Sequence, residues 1–311
     1  MLRQAICLLT KRDVTAVVVG HDSGTPIRMV YTESGRDRVG STVLLLHGLF
    51  DHRGTWSLLT PALVEAGFRV VVPDLVGFGH SSRPRLLERP PEERYSLDMQ
   101  VGFLRNFIRE LELDDLVIIG NSLGGGAALR LLCTPWPSAP RLRGLVLEAA
   151  AGHPQPLPPL LQLLIGWPGR LLLLPWVHRL ALATGLARFL TRRTYRRAFY
   201  DSSAIPPELV DDALDSLRLP NTLYCYRESV RNMVPEDAAA FPARYADIDV
   251  PTLILWGRED QIVPPLFALL FEESIPRSTL HVFDECGHAP HLELPIETAV
   301  VIRDWMRRHT A

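Results

Sequence analysis

Leu116-Val117-Ile118-Ile119-Gly120-Asn121-Ser122-Leu123-Gly124-Gly125-Gly126-Ala127 decides how this chain is read. The unbroken apolar run 116–120 (LVIIG) predicts a strand buried on both faces, and 127–133 (AALRLLC) predicts a helix. Between them Ser122 stands in a G-x-S-x-G pattern. A serine at such a strand-to-helix turn is held on a tight elbow with its hydroxyl exposed at the C-terminal edge of the sheet. Flanking glycines let the backbone pass close to that turn. The N–H of Leu123 then lies at a helix start, where it can face a developing oxyanion. A bare G-x-S-x-G recurs by chance and can mark only a Gly-rich turn; here the strand before and the helix after are both present.

Working outward, further apolar runs at 43–47 (VLLLH), 69–73 (RVVVP), 144–148 (GLVLE), 252–257 (TLILWG) and 279–283 (TLHVF) predict more fully buried strands. Helical spacing joins Leu97, Val101, Leu104, Ile108 and Leu111, with Ser96 placed as N-cap. A second apolar face, Ile296, Ala299, Val300, Ile302, Trp305 and Met306, recurs near the C-terminus. Strands alternating with helices predict an α/β fold with a mostly parallel sheet. Residues 14–19 and 27–31, separated by His21-Asp22-Ser23-Gly24, predict an antiparallel hairpin at its edge. The rhythm stops between about Ala151 and Pro235, where Leu-rich, Pro-punctuated, Arg-bearing helical segments follow one another, and resumes at Thr252. The expected organisation is one catalytic core, 1–150 and 236–311, interrupted by an all-helical cap, 151–235.

A serine hydroxyl needs a base, and the base an orienting acid. In the chain order serine, acid, histidine, each partner should follow a late strand. The run 252–257 leads into Arg258-Glu259-Asp260-Gln261, and 279–283 into Asp284-Glu285-Cys286-Gly287-His288. Asp260 and His288 fill the two slots. Glu259 competes for the acid or is an exposed loop carboxylate; Asp284, so close to His288 in sequence, reads as a loop residue. His291 rivals His288, but its place in Pro290-His291-Leu292-Glu293 suits a structural role at a helix start. His288 and His291 do not form the H-E-x-x-H helix pattern of zinc enzymes, so neither metal nor cofactor is expected. His47-Gly48-Leu49-Phe50 ends an early strand, and its loop offers a second oxyanion donor, the N–H of Leu49, with Phe50 as the alternative. His47 itself reads as structural, beneath that loop. Asp74, in Pro73-Asp74-Leu75-Val76-Gly77-Phe78-Gly79-His80-Ser81, reads as a loop-fixing carboxylate, and His52, His80 and His153 as loop or wall residues.

Length and composition agree. The chain has 311 residues, 47% hydrophobic and 22% charged, with a net charge of −2. That balance argues against disorder and gives no global attraction to nucleic acid or to an anionic membrane. Cys7, Cys133, Cys225 and Cys286 form no CxxC pair and suit free, buried thiols. The short apolar run 5–9 precedes Lys11-Arg12-Asp13, the reverse of a secretion signal's charge order, and a cytoplasmic location is expected. The charge is uneven: 152–235 hold ten Arg against six Asp or Glu, leaving −6 for the rest. Arg192, Arg193, Arg196 and Arg197 suit a solvated face, or one that steers acidic substrates or anionic headgroups. Thirteen leucines from Leu157 to Leu190 suit cap helices forming an apolar acyl pocket above Ser122.

His47-Gly48, Pro73-Asp74 through Ser81, Gly120 through Gly125, Asp260 and Gly287-His288 together resemble the α/β-hydrolase superfamily, in its order and along nearly the whole chain. The resemblance implies an eight-stranded, mostly parallel sheet flanked by helices, a helical cap inserted after the sixth strand, and a Ser122, His288, Asp260 triad. Epoxide hydrolases and haloalkane dehalogenases of this layout carry aspartate at the elbow, where Ser122 stands. Gly120-Asn121-Ser122-Leu123-Gly124-Gly125 resembles the elbow of C–C bond hydrolases of ring-cleavage products. Those usually have a more Gly-rich oxyanion loop than Leu49-Phe50-Asp51 and a tryptophan where Ala289 stands. The expected activity is therefore that of a carboxylesterase or lipase-like serine esterase acting on a small ester with an apolar acyl part. C–C hydrolysis, low-turnover ligand sensing and contact of the cap with a membrane are the alternatives.

Overall fold

A computed structural model describes residues 15–38, 40–157 and 159–310; the run 5–9, Cys7 and Val14 lie outside them. Eight strands follow the apolar runs: β1 (Thr15–Asp22), β2 (Thr25–Ser34), β3 (Thr42–Leu46), β4 (Arg69–Pro73), β5 (Leu116–Asn121), β6 (Leu142–Glu148), β7 (Thr252–Gly257) and β8 (Ser278–Phe283). They make one sheet in the order β1-β2-β4-β3-β5-β6-β7-β8. From β4 to β8 all neighbours run parallel, while β2 is antiparallel to both β1 and β4. The β1–β2 turn places Ser23 and Gly24 at φ +47° and +81°, the pair of left-handed residues that a two-residue hairpin turn needs.

Among the helices, α1 (Thr60–Glu65), α2 (Leu97–Glu110) and α3 (Leu123–Cys133) precede β6. Between β6 and β7 come α4 (Pro159–Ile165), α5 (Trp167–Leu172), α6 (Pro175–Ala183), α7 (Leu186–Ala198), α8 (Pro207–Arg218) and α9 (Thr222–Asn232). Then follow α10 (Leu266–Ser274), α11 (Pro290–Glu293) and α12 (Pro295–His309). Continuous hydrophobicity in the central strands reflects two cores. Leu44, Leu46 and Ile118 pack on one face with Leu104, Phe107 and Leu129; Val43, Leu45, Val117 and Ile119 pack on the other with Trp56, Trp305 and Met306. Alternate residues point to opposite faces, so a strand covered on both must be apolar throughout. Ser96 caps α2, accepting from the N–H of Met99 at 3.2 Å.

Three expectations change. The run 279–283 is only partly buried because β8 is the sheet's outer edge. Ile296 and Val300 are 75% and 40% exposed, and α12 buries Ala299, Ile302, Trp305 and Met306 instead. The helix after the elbow begins at Leu123, not at 127. Gly124, Gly125 and Gly126 are poor helix formers by propensity; they are tolerated in that first turn because it packs directly on neighbouring backbone.

The insertion after β6 is helical throughout, with a small core of Phe199, Ile205, Leu209, Val210 and Leu214 that Leu292 joins from the sheet domain. Helix α9 fastens it: Asn232 donates to the carbonyls of Pro91 and Arg94, both at 2.7 Å, and Tyr224 to that of Arg85 at 2.6 Å.

Candidate active site

Ser122 directly follows β5 at φ +52°, ψ −115°, a region costly for any side chain. The strain is held by its surroundings. The N–H of Ser122 donates to the carbonyl of Glu148 at 3.0 Å, and its own carbonyl accepts from Gly126 and Ala151 at 3.1 and 3.0 Å. A side chain at Gly120 would strike the backbone of Gly124 and Gly125 at 2.5 Å, and one at Gly124 would strike the Leu46 carbonyl. These two glycines are therefore required by close approach.

Asp260 lies just past β7, with Oδ1 accepting from the N–H groups of Ile262 and Val263 at 2.8 and 3.0 Å. Its Oδ2 lies 2.8 Å from Nδ1 of His288, in the loop after β8. With the proton on Nδ1 and directed at the carboxylate, Nε2 keeps its lone pair; among the described residues no hydrogen bond joins it to Ser122 Oγ. Burial alone would lower the His288 pKa; the charge and hydrogen bond of Asp260, then Glu148 and Glu293, outweigh it and raise it above the ordinary value.

The backbone of the histidine is fixed as well. Its N–H donates to the Ala198 carbonyl at the end of α7, at 2.6 Å, and its carbonyl accepts from Asn121 at 3.1 Å. Glu293 accepts from the N–H groups of Gly287 and Tyr200, at 2.9 and 2.7 Å. The loop carrying His288 is thus clamped between the residue before Ser122 and the helical insertion. Sequence reading assigned neither Asn121 nor Glu293 a role; an amide ending an apolar strand was the one visible signal.

The competing residues have other partners. Glu259 is half-buried, not an exposed loop carboxylate, and accepts from the Cys286 N–H at 2.9 Å. Asp284 is an exposed partner of Arg258. Buried His47 accepts at Nε2 from the Leu75 N–H at 3.0 Å and bonds through Nδ1 to its neighbour's carbonyl at 2.8 Å, so both ring nitrogens are occupied. Buried Asp74 accepts from the N–H groups of Arg53 and His80, both at 2.7 Å, and from the Arg53 guanidinium. Burial would raise its pKa, but Arg53 foremost outweighs that and holds it below the usual carboxylate range. Cys286 and Cys225 are buried and Cys133 half-buried; burial pushes the Cys225 and Cys133 thiols up to about 12 and about 11 and raises that of Cys286, leaving no activated thiolate among the described residues.

His291 stacks on Trp56 at 4.1 Å, and its ring Nδ1 and backbone N–H both reach Glu148 Oε1, at 2.7 and 3.0 Å. This second buried pair, 143 residues apart in sequence, braces the chain behind the elbow. Glu148→Ala leaves two buried polar groups unpaired and is expected to cost about 3 kcal/mol of unfolding free energy. Glu148→Gln, which keeps an acceptor, should lose less than half of that in urea titration. Equal midpoints for both variants and the parent would remove the bracing role.

Among the described residues, neither the Leu49 nor the Leu123 N–H has a hydrogen-bond acceptor. Leu123 opens α3, and the turn through Leu49 is shaped by Phe50 at φ +64°. Both amides are available to an oxyanion. Beside Leu123 lies a cavity of about 90 Å³, lined by Leu97, Met233, Val234, Phe241 and Tyr245. Its one cation, Arg130, is committed to Asp98 and Asp237. Neither this cavity nor two larger ones, of about 340 and 430 Å³, is lined by Ser122, Asp260 or His288. No group of three or more His, Cys, Asp or Glu among the described residues is arranged to hold a metal ion.

A family model described as alpha/beta hydrolase fold matches residues 41–295. A 2-hydroxymuconate semialdehyde hydrolase of Pseudomonas sp. (strain CF600) is 30% identical over 285 residues, covering 86% of this chain and 87% of that one. A 2-hydroxy-6-oxo-2,4-heptadienoate hydrolase of Pseudomonas putida is 30% identical over 264 residues, with 82% and 84% covered. The structure of a meta-cleavage product hydrolase from Pseudomonas fluorescens IP01 superposes with a TM-score of 0.71 at 25% identity, covering 94% of this chain and 97% of the other.

Proposed function

From the premise that this chain belongs to the α/β-hydrolase fold family, a hydrolase family, we propose that it cleaves the C–C bond beside a carbonyl in ring-cleavage dienones, with Ser122, His288 and Asp260 as its triad. The 30% identity to a 2-hydroxymuconate semialdehyde hydrolase over 86% of the chain carries this reading. It supports C–C hydrolysis over the ester expected from the residues alone.

A 2-hydroxy-6-oxo-2,4-dienoate contains no ester, so the bond that water breaks beside C6 is a C–C bond. In its 2-oxo-3-ene tautomer, C5 can leave as a carbanion delocalised into the 2-oxo group. His288 Nε2 takes the Ser122 proton as Oγ attacks C6, and the Leu49 and Leu123 amides hold the oxyanion. Collapse breaks the C5–C6 bond; its electron pair passes into the dienolate, which takes a proton from His288. Water, deprotonated in turn by His288, releases the acyl group as a carboxylic acid.

Ester hydrolysis is the second reading. It is favoured by the leucine and phenylalanine of the oxyanion loop and by the apolar cavity beside Leu123, whose single arginine is already neutralised. The same cycle then expels an alkoxide.

The deciding measurement sets kcat/KM on the dienone from catechol or 3-methylcatechol ring cleavage, followed by loss of its absorbance, against a graded series of p-nitrophenyl esters. The dienone is expected to exceed the best ester by about 10-fold or more, a difference of about 1.4 kcal/mol in the barrier. Esters alone being turned over would select the second reading. Turnover of neither would overturn both.

A further inference from the structure

The helical insertion carries a face that hydrolysis does not use. From Ala149 to Tyr200 the sequence has seven arginines and no Asp, Glu or Lys, so this stretch carries +7 against −9 for the rest. Arg188 pairs with Asp211; among the described residues, Arg170, Arg179, Arg192, Arg193, Arg196 and Arg197 have no acidic partner within ion-pair distance.

The same stretch exposes apolar side chains. Eight of the sixteen large hydrophobic residues exposed among the described residues fall between Leu163 and Phe189. Trp167 is 74% exposed, Trp176 66% and Phe189 60%, whereas Trp56, Trp256 and Trp305 are buried. Leu163, Trp167 and Leu171 recur every fourth residue across α4 and α5, as do Trp176 and Leu180 within α6. Helices α4 to α7 pack consecutively, each against the next, so these exposed residues stand on neighbouring elements. On α7, Leu186, Phe189, Arg193 and Arg196 are all exposed and spaced three, four and three, a stripe that begins apolar and ends in arginine. Arg188, Arg192, Arg193 and Arg196 also line the cavity of about 430 Å³, with Phe189 and Ile205 in its wall.

We propose that α4 to α7 dock this protein on the surface of an anionic phospholipid bilayer. Exposed tryptophan, leucine and phenylalanine beside unpaired arginines is the chemistry of a helix layer lying in the headgroup region, with arginine heads at the phosphates and apolar side chains below them. No helix among the described residues is long and apolar enough to cross a membrane, so the association is with one leaflet. A second copy suits the face less well, because two-fold self-pairing would bring +7 against +7. The inference does not depend on which carbonyl substrate is cleaved.

Flotation of the full chain with vesicles of phosphatidylcholine, with and without one quarter phosphatidylglycerol, tests it. Expected are at least about 10-fold tighter binding to the anionic vesicles, a blue shift of tryptophan emission on binding, and loss of most binding in 0.5 M NaCl. Trp167→Ala with Trp176→Ala, and separately Arg192→Gln with Arg193→Gln, should each weaken binding about 10-fold, and the arginine pair should flatten the salt dependence. Unchanged thermal unfolding shows that the variants fold. No vesicle binding by the parent chain, or equal binding to both vesicles, overturns the proposal. So does concentration-dependent dimer formation, or binding of inorganic phosphate, without vesicle binding.

Discussion

Ser122→Ala is expected to lower kcat/KM on the cleaved substrate by at least about 10,000-fold and to leave the fold intact. In the proposed reaction the nucleophile is a single oxygen, and the neighbouring candidates do not replace it: His47 has both nitrogens occupied, and Cys286, two residues before His288, is buried with its pKa raised. The residual rate would come from the Leu49 and Leu123 amides acting on water attack. Alanine inherits the φ of +52°, so the elbow stays equally strained and the midpoint of thermal unfolding should move by no more than about 2 °C, since little else changes. A second substitution, Ser122→Gly, relieves that backbone strain and should be the more stable of the two while equally inactive. Retention of even one-hundredth of the parent activity by Ser122→Ala would mean that the nucleophile is not this serine.

The sheet and the elbow were legible because they are written in local terms. An apolar run too short for a helix, followed by glycines around a serine, specifies strand, turn and helix within a dozen residues. Asp260 and His288 were legible through chain order, each falling just past a late strand. The Glu148–His291 pair was not. A glutamate ending an apolar strand looks like the point where the strand meets solvent, and only the three-dimensional arrangement brings it against a histidine after β8. The same holds for Glu293, to which the sequence assigns no role and which holds Gly287 to Tyr200. Periodicity misled at α12, where Ile296 and Val300 fit an apolar pattern wider than the strip that touches the sheet. Leucine richness in the insertion is divided: of the thirteen leucines expected to line a pocket, Leu157 lines the cavity beside Leu123, while Leu163, Leu171, Leu174, Leu180 and Leu186 are exposed. Composition cannot distinguish a pocket from a surface, because both satisfy the same helical spacing.

Asp260→Asn separates orientation from mere presence of the base. The carboxylate lies 2.8 Å from His288 Nδ1 and is itself held by two backbone N–H groups. The amide is nearly isosteric, but its NH2 group can be held only where an acceptor is available. Presented to the ring, it favours the tautomer with the proton on Nε2, the nitrogen that must accept from Ser122. A fall in kcat/KM of about 10,000-fold is therefore expected without loss of folding. The pH profile supplies a second, independent readout. In the proposed reaction His288 acts as a base when neutral, and its pKa is raised because Asp260, with smaller help from Glu148 and Glu293, outweighs the lowering effect of burial. In the parent enzyme the acid limb of kcat/KM should accordingly have its midpoint above 6.5, the value for free histidine. Removing the Asp260 charge leaves burial as the strongest influence, so the limb should move to lower pH while the plateau drops. Glu148→Gln should move the limb in the same direction by a smaller amount, with a far smaller loss of plateau. A plateau that falls while the limb stays in place would show that Asp260 holds the loop but does not act on the histidine's charge.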